Sequence, residues 1–239
     1  MTQPDPEIIC TICARGGSKG VKNKNVRLLA GKPLVAHTVE QARASGLFTN
    51  VAVSSDSEEI LSIAKEFGAD VLVVRPDGMA SDTSGKLPAI RHCFLEAEKT
   101  IGKTFAHAFD LDVTSPLRAR KDLTAVRELL MQNGVDNVIT GAPARRSPYF
   151  NLVERHPDGA ITLSKPPQDA VLRRQDSPEC FDMNGSIYAW TRRALLEEET
   201  LFSGNVALHV MPEERSQDID TEFDFRIVEM MMEQRGEWS

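Results

Sequence analysis

From Ile8 to Ala142, apolar runs suited to strands alternate with amphipathic runs suited to helices, and no other feature constrains the fold as tightly. IICTICA leads into a glycine-rich loop, then a helical stretch PLVAHTVEQARAS that Gly46 is placed to end. VAVSS follows. Asp56 or Ser57 can cap the helix SEEILSIAKEF, which stops at Gly68, and DVLVVR reads as the next strand. Pro88 suits the first turn of a helix running to about Thr100, before the core strand FAHAFDLD, a helix from Asp122 to Asn133 and the strand NVITGA. This rhythm predicts an α/β fold of Rossmann-like type, three layers deep, with a mostly parallel sheet between helices.

Between Arg145 and Asp182 the alternation is interrupted by prolines, scattered charges and a hairpin pattern: NLVER, a turn at HPDG, then AITLS. We read this segment, 145–182, as a flap or dimerisation element inserted in a single domain spanning 7–235. The βα pattern resumes with NGSIYAW, a helix from about Arg192 to Glu199, the strand VALHV and a last helix from Glu222 to Gln234.

A chain of 239 residues has room for one α/β domain with a full core. Its formal net charge of -7 argues against a broad nucleic-acid or anionic-membrane surface. No apolar stretch approaches the roughly 20 residues that span a bilayer, and MTQPDPE has no signal-peptide character, so the expected location is cytoplasmic. Cys10 and Cys13 form C-x-x-C inside a strand-like run, where an offset of three puts them on opposite sheet faces, so buried packing is expected of them.

Within this acidic chain, residues 15–32 hold six cations (Arg15, Lys19, Lys22, Lys24, Arg27, Lys32) and no acid. The loop follows the first strand, at the sheet edge where open α/β folds bind ligands, and its glycines permit backbone N–H groups to approach phosphate. It matches neither G-x-G-x-x-G nor the P-loop; the alternative is a solvated basic loop. In QDIDTEFDF, Asp218 and Asp220 differ by two positions, a spacing that turns both carboxylates the same way in an extended segment and suits Mg²⁺. Equally, Asp220 or Thr221 can cap the last helix, Thr221 and Asp224 making a capping box. Asp110 and Asp112 close a buried-looking strand in FDLDVTSPLR, for a metal or a substrate hydroxyl, unless Arg118 and Arg120 neutralise them. The histidines are dispersed and no nucleophile elbow is present. Cations at one end and paired acids at the other are the inventory of metal-assisted phosphoryl or nucleotidyl transfer. A nicotinamide-dependent oxidoreductase and a non-catalytic nucleotide-binding module are the alternatives.

The ordered motifs ICARGGSKGVKNKN, RPDGMASDTSG, TSPLR, NGSIY and DIDTEFD resemble those of the acylneuraminate cytidylyltransferases, over nearly the whole chain. The resemblance implies a nucleotide-diphospho-sugar transferase fold, usually homodimeric through an inserted element. It implies an enzyme that joins CTP to a nine-carbon 2-keto acid sugar and releases pyrophosphate, with Mg²⁺. By position it assigns Arg15, Lys19 and Lys24 to the triphosphate and Asn25 to its vicinity. Arg75 and the backbone around Ser84 would read cytosine, Asp218 and Asp220 would hold the metal, and Arg174, Thr114 and Ser115 would meet the sugar, with Asp112 as a sugar-hydroxyl acceptor or second metal ligand. Arg15, Lys24, Asp218 and Asp220 are thus the catalytic candidates. Three departures from the sialic-acid enzymes, Asp112 for Gln, Phe150 for Lys and Asp182 for Arg, are expected in or near the sugar pocket. PYFN and DMN resemble the branch that activates legionaminic acid.

Overall fold

A computed structural model describes residues 7–17, 20–79, 85–166, 173 and 176–235. Strand β1 (Ile8–Cys13) lies inside an eight-stranded sheet, with β4 (Asn50–Ser55) and then β5 (Val71–Val74) on one side. On its other side come β6 (His107–Leu111), β11 (Ile187–Thr191) and β7 (Asn137–Pro143). Beside β7, β12 (Val206–Val210) runs parallel and β10 (Phe181–Met183) antiparallel. All strands of this sheet except β10 and β11 point one way. Two short ribbons stand apart: β2 (Leu28–Leu29) with β3 (Lys32–Pro33), and the expected hairpin β8 (Val153–Arg155) with β9 (Ile161–Leu163).

Side-chain alternation along β1 builds both faces of the core. Ile8, Cys10 and Ile12 pack with Leu34 and Val39 of α1 (Leu34–Ser45), Ile60 of α2 (Glu58–Glu66), Leu123 of α4 (Arg120–Leu130) and Phe225 of α6 (Glu222–Arg235). Ile9 faces the other way, among Ile90 and Phe94 of α3 (Lys86–Ile101) and Leu195 of α5 (Arg192–Glu197). A period of two therefore delivers three layers. Cys10 falls in the first cluster and Cys13 packs against the second, on opposite faces as their offset of three predicts.

Helix ends follow their local chemistry. Gly46 ends α1 with φ 68°, a left-handed conformation that glycine adopts without steric penalty. Ser57 caps α2 by accepting from the Ile60 N–H at 3.4 Å, and Glu58 and Glu59 complement the helix dipole. The strand from NGSIYAW departs from the expected βα pattern, because β11 enters antiparallel between β6 and β7.

One buried carboxylate ties α4 to the end of the chain. Asp122 accepts from its own cap at Ala119 N (2.8 Å), twice from Arg215 (2.8 Å each) and from His209 Nε2 (3.1 Å). Burial opposes its ionisation, but the bonds from His209, Arg215 and Ala119 outweigh that and hold it well below the usual carboxylate range. A carboxyl depressed in this way stabilises the fold above its unfolded pKa of about 3.9 and loses that contribution as pH falls further. Asp122→Ala is expected to cost about 3–5 kcal/mol near neutral pH. In thermal melts followed against pH, its deficit relative to wild type should shrink below about pH 4; a deficit that stays constant would show that the charge is not the source.

Candidate active site

The loops leaving the C-terminal ends of β1, β5 and β6 open onto one cleft of about 470 Å³, at the place where neighbours of β1 lie to either side. Arg15, Lys24, Asn25, Arg75, Asp112, Thr114, Asp218 and Asp220 all line it. Segments nearly the full chain apart are thus brought together as expected. Lys19, Ser84 and Arg174 lie outside the described residues.

The basic loop is fastened before it reaches the cleft. Gly16 N donates to Asp56 Oδ1 at 2.8 Å, and Asn25 Nδ2 donates to the Arg15 carbonyl at 2.8 Å. Asn25 Oδ1, though buried, has no hydrogen-bond partner among the described residues, and so offers an acceptor at the cleft wall. Across from it, Arg75 is buried and spends its guanidinium on Ser54, Nε to Oγ at 3.3 Å and one terminal nitrogen to the carbonyl at 3.1 Å.

The carboxylates come from an extended run held by Ile219, whose N–H donates to the Thr114 carbonyl at 2.9 Å while its side chain is buried. Alternation then turns Asp218 and Asp220 outward to the cleft. Thr221 and Asp224 form the capping box of α6: Thr221 N donates to Asp224 Oδ2 at 2.8 Å and Asp224 N to Thr221 Oγ1 at 3.2 Å. That leaves the Asp220 carboxylate uninvolved in the cap. Asp218 is pushed up by burial first and then by the Asp220 charge. Lys24, largely buried, donates to the Ile219 carbonyl and stands 3.7 Å from Asp220 Oδ1, so loop and acids meet directly.

Two hard carboxylates in one cleft suit a divalent ion such as Mg²⁺. Among the described residues no three His, Cys, Asp or Glu side chains converge on a point, so phosphate and water oxygens would have to complete the shell.

The second acidic pair carries its own cation. Lys86, the first residue of α3, places Nζ 2.7 Å from Asp112 Oδ2 and 3.1 Å from Asp110 Oδ2, 4.5 Å from the centre of the Tyr188 ring. Burial works against the Lys86 charge, but Asp112 and Asp110 hold it above its ordinary value. Asp110 is raised, chiefly by burial; Asp112 is lowered, since Lys86 and the Thr114 N–H and hydroxyl outweigh its burial. Arg118, fully buried, donates to the main-chain carbonyls of Ser115 and Asp112, and the Asp112 and Asp110 charges also favour its guanidinium. Sequence reasoning missed Lys86, yet a signal existed, because a lysine opening a helix opposes the helix dipole and calls for a counter-charge.

Three other residues singled out by the resemblance lie off the wall of this cleft. Ser115 is buried, its hydroxyl 3.5 Å from the Asn184 carbonyl, and does not line the cleft, because it follows Thr114 on the opposite side of the chain. Phe150 belongs to the turn before the β8–β9 hairpin and does not line it either. Asp182 lies in β10, where its carboxylate accepts from Arg145 N at 3.1 Å; the next residue, Met183, is the one on the wall.

This arrangement, with the sheet that carries it, defines the nucleotidyltransferase class of α/β enzymes. The sequence matches the cytidylyltransferase family over residues 9–219, and the chain belongs to that family. It is 44% identical over 230 residues to the post-translational flagellin modification protein B of Campylobacter coli, covering 96% of this chain and 97% of that one. It is 43% identical over 226 residues to the CMP-N,N'-diacetyllegionaminic acid synthase of Campylobacter jejuni, covering 95% of each. A solved CMP:2-keto-3-deoxy-manno-octonic acid synthetase complexed with CTP shares the fold with TM-score 0.71 at 16% identity, over 95% of this chain and 99% of that one. The oxidoreductase alternative is set aside. No helix among the described residues is long and apolar enough to cross a membrane.

At Gly20 the loop backbone packs against the acid-bearing run: a Cβ there would lie 1.9 Å from the Asp220 carbonyl oxygen. Since that neighbour is backbone, Gly20→Ala must push the loop and the 218–220 run apart. A displacement of about 1 Å costs on the order of a hundredfold, so kcat/KM for nucleotide transfer should fall by about that factor while the melting temperature moves little. Unchanged kinetics would mean that loop and acids need not touch.

Proposed function

We propose that this cytidylyltransferase joins CTP to a nonulosonic acid, a nine-carbon 2-keto acid sugar, and that N,N'-diacetyllegionaminic acid is its preferred acceptor. The observation that carries the reading is the meeting of Lys24 with the Asp218–Asp220 run in one cleft. The acceptor follows from the named Campylobacter jejuni relative, similar along nearly the whole length. In the reaction, the anomeric 2-hydroxyl oxygen bonds to the α-phosphorus, the bond to the β-phosphate oxygen breaks, and pyrophosphate leaves with that electron pair while the hydroxyl proton passes to solvent. Arg15 and Lys24, with Lys19, neutralise the triphosphate, and Asn25, Arg75 and Ser84 hold the nucleoside. Asp112 and Thr114 face the sugar, and Arg174 is assigned to it by its motif alone. Asp218 and Asp220 would hold Mg²⁺, which lowers the cost of the developing phosphate charge.

The assembly we propose is a homodimer of single domains (7–235) paired through the 145–182 insertion. Its hairpin region exposes Leu152, Val153, Ile161 and Phe181, apolar area that a second copy would cover. The proposed location is the cytoplasm, where CTP is available.

Pyrophosphate release from CTP and Mg²⁺ with a panel of nonulosonic acids tests the reaction; no release with any of them would sink it. Lys24→Ala should lower kcat/KM by roughly a hundredfold, about 3 kcal/mol of transition-state stabilisation. Asp218→Asn and Asp220→Asn should abolish Mg²⁺-dependent turnover and leave the melting temperature nearly unchanged; early melting with full activity per folded molecule would return both residues to a structural role.

A further inference from the structure

We propose that Lys86 is a resident counter-cation that reserves Asp112 for the second substrate and keeps a metal ion from the Asp110–Asp112 pair. Two carboxylates two positions apart at the mouth of a cleft would ordinarily invite a divalent ion. Here the space between them is taken: the ammonium stands 2.7 Å from Asp112 and 3.1 Å from Asp110, and the face of Tyr188 lies 4.5 Å away. A metal entering this point would have to expel Lys86 from both carboxylates and leave its charge without partners, which a site of low dielectric penalises.

The same contacts orient Asp112. Its Oδ1 accepts from the Thr114 N–H and hydroxyl, both at 2.9 Å, and its Oδ2 from Lys86. A carboxylate oxygen can accept more than one bond, so a carboxylate held on three sides still presents lone pairs to the cleft it lines. The group it would recognise is a neutral donor, a hydroxyl or an amide N–H, since a phosphate would be repelled. Such donors belong to an N-acylated polyhydroxy acid rather than to the triphosphate. Lys86 acts through Asp112 and is a positioning residue.

This inference deepens the functional reading above and rests on it for the identity of the sugar. The test compares wild type with Lys86→Met, Lys86→Arg and Asp112→Asn. Lys86→Met is expected to raise KM for N,N'-diacetyllegionaminic acid by about tenfold or more while KM for CTP changes less than about threefold, and Lys86→Arg should restore much of the loss. Equal changes in both constants, or no rescue by arginine, would overturn the positioning role. In parallel, Mn²⁺ bound per chain in the presence of CTP is counted by electron paramagnetic resonance. Asp112→Asn should bind as many ions as wild type; loss of one would make Asp112 a metal ligand and overturn the proposal. The ion count needs no sugar, so it decides the metal question even if wild type releases no pyrophosphate with any acceptor, a result that would count against the functional reading instead.

Discussion

The peptide groups around Ile219 join the two halves of the site. Its N–H bonds to the Thr114 carbonyl in the loop after β6, its carbonyl receives Lys24 from the basic loop, and its side chain is buried in the core. Burying a side chain of this size stabilises by about 1.5–3 kcal/mol. That apolar anchor offsets the cost of what it brings along, for Asp218 is forced into the field of Asp220, Asp224 and Asp112. Such repulsion is of the kind that a bound divalent cation would relieve.

The two acidic pairs in the cleft are therefore electrostatically unlike. Asp110 and Asp112 are shielded by an ammonium at ion-pair distance. Asp220 has Lys24 only at 3.7 Å, with its own side chain 74% exposed, so water screens the pair and little attraction holds it closed. A polyphosphate carrying a divalent ion can replace that weak contact on both sides, cation to phosphate and metal to carboxylate. Nothing comparable would be gained at Lys86. One pair is thus open to exchange with ligand, and the other is internally neutralised and directional.

How much of this could be read beforehand differs by kind of information. Strand and helix placement was legible because it is local: the period-two run through Ile8, Cys10 and Ile12, the cap at Ser57 and the stop at Gly46 all act within a few residues. Pairing direction was not, since nothing in IYAWT distinguishes a strand that runs with β6 from one that runs against it. The short β10 escaped because three exposed residues carry no periodic signal. Among the cleft-lining residues, spacing was enough to turn Asp218 and Asp220 to one side, whereas the resemblance in motif could not show that Ser115 turns inward while its neighbour Thr114 faces the cleft. Lys86 was hidden for a different reason: its meaning depends on β6, which follows it in the chain.

The break between β10 and β11 shows how an irregularity becomes a wall of the site. Both pieces run antiparallel to β7, but Asn184 to Ser186 leave the ladder, and Asn184 and Gly185 line the cleft. Asn184 satisfies the interruption itself, accepting from Thr140 Oγ1 at 2.7 Å and Ser186 N at 3.1 Å while donating to Ser216 Oγ at 3.0 Å. That last bond reaches the segment leading to Asp218, which Arg215 also pins through Asp122. A cleft whose acids hang from three separately anchored points pays its ordering entropy during folding rather than at each turnover. Donors and charges fixed in advance are the condition under which electrostatic stabilisation lowers a barrier.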